Sequence, residues 1–277
     1  MACAQVMEAD NLIGGKRMPV VFFGHGSPTN VLEDNDATRT WADIARRIGK
    51  PRAILIVSAH WCTSGVRVTA MASPPTIHDF GRSLPAALFT QNYPAPGSVE
   101  LAMRVSELLA PEPVTLDHEW GLDHGTWSVL SKAYPDADVP VVQLSIDARQ
   151  GEAWHHALAE RLKPLRDEGI LIAGSGNIVH NLGVLQWDDA AQPYPWAVRF
   201  NDYVKKQIID DRPEGLFNVR EIDEDARLAV PSEDHYWPLL YVLGTRTKWD
   251  SIEFLSDYIT FSSLGMTSLL LYEADEV

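Results

Sequence analysis

Short apolar runs rich in β-branched residues alternate along this chain with longer segments of helical periodicity, and this alternation constrains the fold most strongly. Six runs have the length and composition of buried strands: Val20–Phe23, Ala53–Ser58, Val141–Leu144, Ile170–Ala173, Ile252–Phe254 and Thr267–Tyr272. Helical patterns occur at Trp41–Ile48, Ser98–Leu109, Glu152–Arg166 and Ala197–Asp210. Strands that alternate with helices usually build a parallel sheet covered by helices. The sequence therefore predicts an α/β fold with a mostly parallel central sheet flanked by helices.

The chain has 277 residues, which is enough for one large α/β domain. It contains no internal repeat, low-complexity tract or composition break that would mark a linker. Residues 1–17 include two acidic residues and lack a central apolar stretch, so they do not have the pattern of a signal peptide. We expect residues 1–17 to form a mobile extension and residues 18–277 to form a single domain. The proline-rich stretch Pro74–Pro96 is predicted to be a loop that shapes a pocket.

Composition excludes several classes of partner. The formal net charge is −15 and no basic patch is visible, which argues against nucleic-acid binding. The longest apolar runs are far shorter than the roughly 20 residues of a membrane span, so we expect no membrane association through such a helix. The two cysteines, Cys3 and Cys62, give no disulfide framework. This cysteine usage favours a reducing cytoplasm as the location.

Histidines follow three of the predicted strands. His25 comes directly after Val20–Phe23, His60 after Ala53–Ser58, and His180 shortly after the strand that begins at Ile170. Ligands bind to open α/β sheets at the carboxyl ends of the strands, so side chains far apart in sequence can converge there. The sequence thus predicts a site at this edge of the sheet.

Two further histidines have favourable surroundings. His235 lies in SEDHYWPLLY, a polar turn that leads into an apolar helix, and His124 lies in GLDHGTW, where glycines leave room for a bound group. One histidine at a strand end is more often structural, but five in such positions favour a metal. Imidazole is the commonest metal-ligating side chain and suits zinc and ferrous iron.

Other candidates give weaker signals. GSGN at 174–177 lacks the full glycine-rich phosphate-binding pattern, so we predict a tight turn there. His155 and His156 lie in the middle of a predicted helix and are interpreted mainly as surface residues, with at most one facing the core. His118 is also predicted to lie at the surface, and Cys62 is predicted to be a small buried residue rather than a thiolate ligand.

A serine hydrolase is not expected from this sequence. Ser27 and Ser58 both lie near the histidines discussed above, but neither is part of the GxSxG turn that exposes a catalytic serine.

Nine segments, in order from about residue 18 to 247, carry a resemblance to a known family. They are GHGSPTNVLEDN (24–35), VSAHW (57–61), PPTIHDFG (74–81), NYPAPGS (92–98), GLDHGTWSVL (121–130), VPVVQLSID (139–147), GSGNIVHNL (174–182), PYPWAVRFNDYV (193–204) and HYWPLLYVLG (235–244). Together they resemble the extradiol dioxygenases related to the catalytic subunit of protocatechuate 4,5-dioxygenase, and most closely the 4,5-DOPA dioxygenase branch.

The resemblance implies a metal bound by His25, His60 and His235. It also implies that His180 is either a fourth ligand or an acid/base, and that His124 is a second acid/base or orients oxygen. Many relatives use a carboxylate as the third ligand, where this branch has a histidine. Glu233 or Asp234 is therefore an alternative ligand, and an all-histidine site would also hold zinc.

The implied activity is the cleavage of a single-ring catechol, such as DOPA, by O2 to a ring-opened semialdehyde. Fe(II) is the expected catalytic metal, and Zn(II) is able to occupy the same site. His78 matches a family loop that lines the substrate pocket. Trp61 and Tyr236 are candidates to stack on the substrate ring, as are Phe80 and Trp127, and core packing is the alternative for each of the four.

Two other functions are compatible with a histidine-based metal site. The first is a zinc-dependent hydrolase, since zinc with three histidines activates a bound water at neutral pH. The second is a metal-binding module without catalysis. A spare histidine beside an open coordination site argues against such a module, because structural sites saturate their ligands.

Overall fold

The computed structural model describes residues 17–188 and 191–274. The predicted mobile extension lies outside these ranges except for Arg17, which pairs with Asp167 at 2.8 Å and with Glu273 at 3.3 Å. Within the part of the chain that is described, no helix has both the length and the apolar character needed to cross a membrane.

The strands form one large sheet and one small one. Their bounds are β1 (Val20–Gly24), β2 (Ala53–Thr63), β3 (Val66–Thr69), β4 (Val114–Asp117), β5 (Val141–Asp147), β6 (Ile170–Gly176), β7 (Asp250–Leu255), β8 (Ile259–Thr260), β9 (Leu264–Gly265) and β10 (Ser268–Glu273). The large sheet has the order β4-β3-β5-β2-β6-β1-β10-β7, and β8 pairs with β9. Its centre, β5-β2-β6-β1, is parallel, whereas β3 runs antiparallel to β5 and β10 runs antiparallel to its neighbours β1 and β7. The predicted α/β fold is confirmed.

The helices are α1 (Asp36–Ile48), α2 (Val99–Leu109), α3 (His124–Ala133), α4 (Glu152–Glu160), α5 (Pro164–Asp167), α6 (Pro195–Ile209), α7 (Val219–Ile222), α8 (Glu224–Ala229) and α9 (Trp237–Gly244). Short 3-10 helices occur at Pro28–Leu32, Ala86–Thr90, Leu182–Val184 and Pro213–Leu216. Helix α1 shows why such elements form here. Asn35 and Thr38 build a capping box at its start, and Gly49 ends it at φ 75°.

Two hydrophobic cores lie on opposite faces of the large sheet. Alternate residues of the central strands face different cores: Val20 and Phe22 pack with α2, α4, α6 and α9, whereas Val21 and Phe23 pack with α1 and α3. Strands buried on both faces need apolar side chains at every position. This explains why the central strands appear in the sequence as continuous apolar runs.

Two of the differences between predicted and observed boundaries change an element most. β2 continues to Thr63 instead of ending at Ser58, and its pairing with β5 shifts register between Val57 and Cys62. Such irregularities re-aim side chains, and here His60 lies inside the shifted segment. The helix predicted over Glu152–Arg166 divides into α4 and α5, because Pro164 cannot donate a backbone hydrogen bond within a helix.

Candidate metal centre

Three histidines meet at the carboxyl edge of the parallel strands. His25 directly follows β1, His60 lies in the last part of β2, and His235 lies two residues before α9. One possible ligand atom from each lies within 4.8 Å of the other two. The ring centroids are 5.1 Å apart for His25–His60, 5.2 Å for His25–His235 and 4.9 Å for His60–His235.

The end of β6 holds the backbones of two of these histidines in place. The amide of His25 donates to Gly176 O at 3.0 Å, and the amide of Asn177 donates to His235 O at 2.8 Å. A Cβ on Gly176 would lie only 2.2 Å from His235 O, so this close approach requires glycine. The prediction of a tight turn over GSGN is wrong, because Gly174 and Gly176 are the end of a strand.

Hydrogen bonds fix the tautomer of His25. Ser175 Oγ donates its single proton to Gly125 O at 2.6 Å, since that carbonyl only accepts. Ser175 Oγ must therefore accept from His25 Nδ1, which lies 2.9 Å away. With its proton on Nδ1, neutral His25 carries a lone pair on Nε2.

The same reasoning applies to His235 but not to His60. His235 Nδ1 lies 2.6 Å from Asp234 Oδ2, whereas His60 Nδ1 lies 3.9 Å from Asp79 Oδ2, which is too far for a hydrogen bond. A carboxylate beside Nδ1 favours the proton on that nitrogen, which leaves the lone pair on Nε2. His25 and His235 thus present the form in which imidazole binds a metal.

The separation of the nitrogens fits a shared metal ion. His25 Nε2 and His60 Nε2 are 3.3 Å apart, so the two nitrogens share either a proton carried by His60 or a metal ion. Nitrogens that each lie about 2.0–2.1 Å from one zinc ion are about 2.9–3.4 Å apart, depending on the angle at the metal. A neutral donor set of this kind suits zinc or ferrous iron.

Burial keeps His25 and His60 neutral. It lowers the pKa of His25 and of His60 well below the usual value, and the charges of neighbouring histidines lower both further. For Asp234, burial alone would raise the pKa, but the hydrogen bond and charge of His235 outweigh it and the net pKa is lowered. Asp234 therefore stays ionised behind His235, where it orients the ring.

The alternative carboxylate ligands are engaged elsewhere. Asp234 is bound to His235 as described, and Glu233 pairs with Arg220 at 3.2 Å. Neither belongs to a group of side chains that the described part of the chain brings together with metal-ligand spacing.

His180 lies against the site without joining the group of three. Its ring stacks on that of His235 with centroids 3.5 Å apart and planes at 5°. Its amide donates to Ala229 O at 2.8 Å, which fixes the loop after β6. Burial, followed by the charge of His235, lowers the pKa of His180 to about 3. The ring is thus neutral near pH 7.

His124 is the first residue of α3 and lies on the other side of the site. Its ring centroid is 3.7 Å from that of His60. Asp79 accepts from its amide at 2.8 Å and faces its Nδ1 at 2.9 Å. His60, Asp79 and His124 form a second group whose possible ligand atoms lie within 4.8 Å of one another.

A buried aspartate, which the sequence did not single out, positions the helix that carries His124. Asp123 caps α3 by accepting from Thr126 N at 3.1 Å, and it also accepts from Ser58 Oγ at 2.7 Å and Gln143 Nε2 at 2.7 Å. Burial and the charge of Asp79 raise its pKa. Ser58 belongs to β2, so Asp123 fixes the distance between this strand and α3.

The loop candidates surround His124. His78 Nε2 donates to Gln91 O at 3.0 Å, and its ring lies 5.8 Å from that of Phe80 and 5.7 Å from that of Trp127. Phe80 in turn meets the ring of His124 edge-on at 5.5 Å. These aromatic side chains form an apolar wall beside the histidines.

The two other aromatic candidates make packing contacts. Trp61 is buried and stacks on Trp120 with centroids 5.6 Å apart and planes at 1°. Tyr236 is buried in the core beside Phe200, and its hydroxyl donates to Leu216 O at 3.3 Å. For Tyr236 these contacts correspond to the core-packing alternative.

The weaker candidates have mixed outcomes. His118 is exposed, as predicted. His155 is fully buried with Leu158 and Ala159 on the inner face of α4, so its interpretation as a surface residue is wrong. Cys62 is exposed and not buried as predicted, because β2 continues past Ser58 and its alternation turns this side chain outward.

Comparisons with known proteins find similarity along almost the whole chain. The model of the family described as the catalytic LigB subunit of aromatic ring-opening dioxygenase matches residues 19–272. The protein named 4,5-DOPA dioxygenase extradiol in Escherichia coli (strain K12) is 51% identical over 264 residues, which cover 94% of this chain and 96% of that protein. The one of the same name in Beta vulgaris is 36% identical over 230 residues, with coverage of 80% and 85%. A solved structure of an uncharacterized protein from Escherichia coli K12 has a TM-score of 0.80 and 46% identity, and covers 92% of this chain and 99% of that one.

Proposed function

The chain belongs to the family of the catalytic LigB subunit of aromatic ring-opening dioxygenases, and we propose that its metal is Fe(II) and its substrate a single-ring catechol of the DOPA type. It is an extradiol dioxygenase, an oxidoreductase that acts on a small aromatic molecule with O2 and depends on a metal. We propose the identity of the metal, the residues that bind it and the catechol that is cleaved.

The observation that carries the proposal is the convergence of His25, His60 and His235, of which His25 and His235 have their lone pairs on Nε2. We assign these three as the metal ligands. Fe(II) bound there would supply coordination positions for both catechol oxygens and for O2. Three protein ligands leave positions open for them, whereas a closed set of ligands would not.

His180 and His124 are assigned to proton transfer. Both lie beside the group of three, and neither belongs to it. A neutral imidazole next to a substrate hydroxyl can accept its proton and later return one, which is typically worth about 10²–10⁴ in rate. The lowered pKa of His180 keeps its ring neutral before substrate binds.

The neutral ligand set also favours binding of an ionised catechol. Three neutral histidines leave the charge of a divalent metal uncompensated by the protein. The substrate then supplies the balancing negative charge, so the site favours deprotonation of at least one hydroxyl. Zinc would fit the same nitrogens, but it has no redox chemistry, and we therefore assign Fe(II) to the reaction with O2.

The DOPA-type substrate rests on the relatives, whose names specify that activity. The loop around His78 and the ring of Phe80 lie next to His124 and are assigned to the wall that receives the catechol ring. Aromatic side chains favour stacked or edge-on contacts with such a ring.

The test is anaerobic loading of the protein with Fe(II), followed by oxygen uptake and visible spectra with DOPA, dopamine, protocatechuate and catechol. We expect oxygen uptake and a yellow ring-opened product with DOPA. Turnover of protocatechuate alone would support the ring-cleaving activity but contradict the DOPA-type substrate. The absence of oxygen uptake with all four would reject the proposed function in favour of the zinc-dependent hydrolase.

A further inference from the structure

Asp79 uses both carboxylate oxygens on a single residue, His124. Oδ1 accepts from the backbone amide of His124 at 2.8 Å, and Oδ2 faces Nδ1 of its ring at 2.9 Å. The side chain of Asp79 is only 15% exposed, so water competes little for these bonds. This carboxylate therefore controls where His124 carries its proton.

The direction of the hydrogen bond follows from the partners. An ionised carboxylate only accepts, so Nδ1 of His124 must donate to it. Neutral His124 then has its lone pair on Nε2. Within the described ranges, no hydrogen-bond partner is present for Nε2, and it is not among the atoms sealed from solvent without a partner. A bound molecule can therefore reach it.

Resting on the proposed function, we propose that Asp79 is a positioning residue for ring cleavage. It holds His124 in the tautomer with the proton on Nδ1, so that Nε2 accepts a hydrogen bond from a hydroxyl of the substrate. The ring of His124 lies 3.7 Å from that of His60, which places this acceptor next to the assigned metal ligands. Asp79 thus acts on the substrate through His124.

A purely structural role would be to attach the loop after Pro74 to α3. Other bonds already do this. Ile77 N donates to Leu122 O at 2.7 Å, Leu122 N donates to Pro75 O at 2.8 Å, and Trp127 Nε1 donates to Ile77 O at 2.8 Å. The loop therefore keeps its place without the charge of Asp79, and the bond to Nδ1 requires a different explanation.

The substitution Asp79→Asn separates the two roles. The amide oxygen can still accept from the backbone amide of His124, so the cap of α3 is retained. The amide nitrogen then replaces Oδ2 opposite Nδ1, and it donates where the carboxylate accepted. We expect His124 to change tautomer, with its proton on Nε2.

The primary readout is the tautomer of His124 in the Zn(II)-loaded protein, measured by ¹⁵N NMR of the histidine rings. The wild type should show the proton on Nδ1 and Asp79→Asn should show it on Nε2, with equal zinc content and a folded spectrum in both. The same tautomer in both proteins, or loss of zinc in the variant, would overturn the proposal.

Kinetics of the Fe(II)-loaded protein give the second readout. Asp79→Asn should lower kcat by about 10²–10⁴ with a much smaller change in KM, because proton transfer is affected and not substrate binding. Asp79→Glu should recover part of the loss. In a His124→Ala background, Asp79→Asn should cost nothing further, and an additive loss would overturn the proposal.

The matched control is Asp117→Asn. Asp117 also accepts from two backbone amides, those of Glu119 and Trp120, and it lies outside the histidine group. It should keep kcat, and a loss equal to that of Asp79→Asn would overturn the specific role of Asp79. If the wild type consumes no oxygen with any catechol, the proposed function fails, while the tautomer measurement still decides the role of Asp79.

Discussion

His25 and His155 are both buried histidines, yet their surroundings differ. The pKa of each is lowered, in both cases chiefly by burial. His155 belongs to α4 and faces α9. Its Nδ1 lies 3.0 Å from the hydroxyl of Tyr241, and its Nε2 is buried with no hydrogen-bond partner among the described residues. His25 has Nδ1 bound to Ser175, and its Nε2 lies 3.3 Å from Nε2 of His60.

Burial and a lowered pKa therefore do not distinguish a site from a core. The region around His155 contains one histidine packed among aromatic rings, at 5.0 Å from Trp237 and 5.4 Å from Tyr241. The metal centre brings one possible ligand atom from each of three histidines within 4.8 Å of the others. Among the described residues, His155 belongs to no such group, and this difference marks the functional region.

The largest contrast is expected when one histidine of each region is removed. His60→Ala should abolish metal binding and turnover, whereas His155→Ala should retain both. Loss of a residue that only orients a ligand typically costs about 10–100-fold in metal affinity, and loss of a ligand should cost more. Titration of both variants with Zn(II) provides the measurement. Equal zinc affinity in the two variants would contradict the assignment of His60, and not His155, as a metal ligand.

A second contrast lies within the metal centre itself. His124→Ala should keep the metal and lower kcat by about 10²–10⁴, because His124 is assigned to proton transfer and not to metal binding. Metal content and single-turnover kinetics measure the two effects separately. Full turnover in this variant would show that the assigned role of His124 is wrong.

Stability should respond in the opposite order. His155→Ala should lower the free energy of unfolding by about 2–4 kcal/mol, because it leaves a cavity and an unpaired Tyr241 hydroxyl in the core. His124→Ala should cost less, since its ring, although buried, borders the histidine group and not the packed core. Urea unfolding of the metal-free proteins measures both. A larger loss for His124→Ala would contradict the contrast.

A further expected effect is on the pH dependence of stability. Burial lowers the pKa of His155 to about 4 and of His180 to about 3, whereas an unfolded histidine has a pKa of about 6.5. The unfolded chain binds these protons first, so stability is complete above about pH 6.5 and is lost as the pH falls towards 4 and 3. Each group contributes up to about 1.4 kcal/mol per pH unit.

His155→Ala should therefore make this dependence shallower. Urea unfolding of the metal-free wild type and variant at several pH values between 5 and 7.5 measures the two slopes. Parallel slopes would show that the pKa of His155 is not lowered in the folded protein.

The sequence predicted six strands of the large sheet and missed β3 and β4 at one edge. β1, β2, β5 and β6 are buried on both faces, so burial appears directly as apolar runs. β3 and β4 have four residues each, and β4 has exposed positions, which leaves no comparable signal. α3 was missed because it is buried on nearly all sides and rich in small or polar residues, so it lacks an amphipathic pattern.

The candidate site could be predicted as far as its histidines, because they follow strands that end at one edge. The hydrogen-bond partners of those histidines could not be predicted. Ser175 and Asp123 act through bonds to Gly125 O and Ser58 Oγ, which come from distant parts of the chain. Nothing local distinguishes such a serine or aspartate from one in an ordinary turn.

A crystal structure of the Fe(II)-loaded protein, with anomalous data collected at the iron edge, tests the central claim most directly. The account predicts one peak at about 2.0–2.3 Å from Nε2 of each of His25, His60 and His235, slightly beyond the usual zinc range. A peak between His60, Asp79 and His124, or no iron within reach of all three assigned ligands, would contradict it.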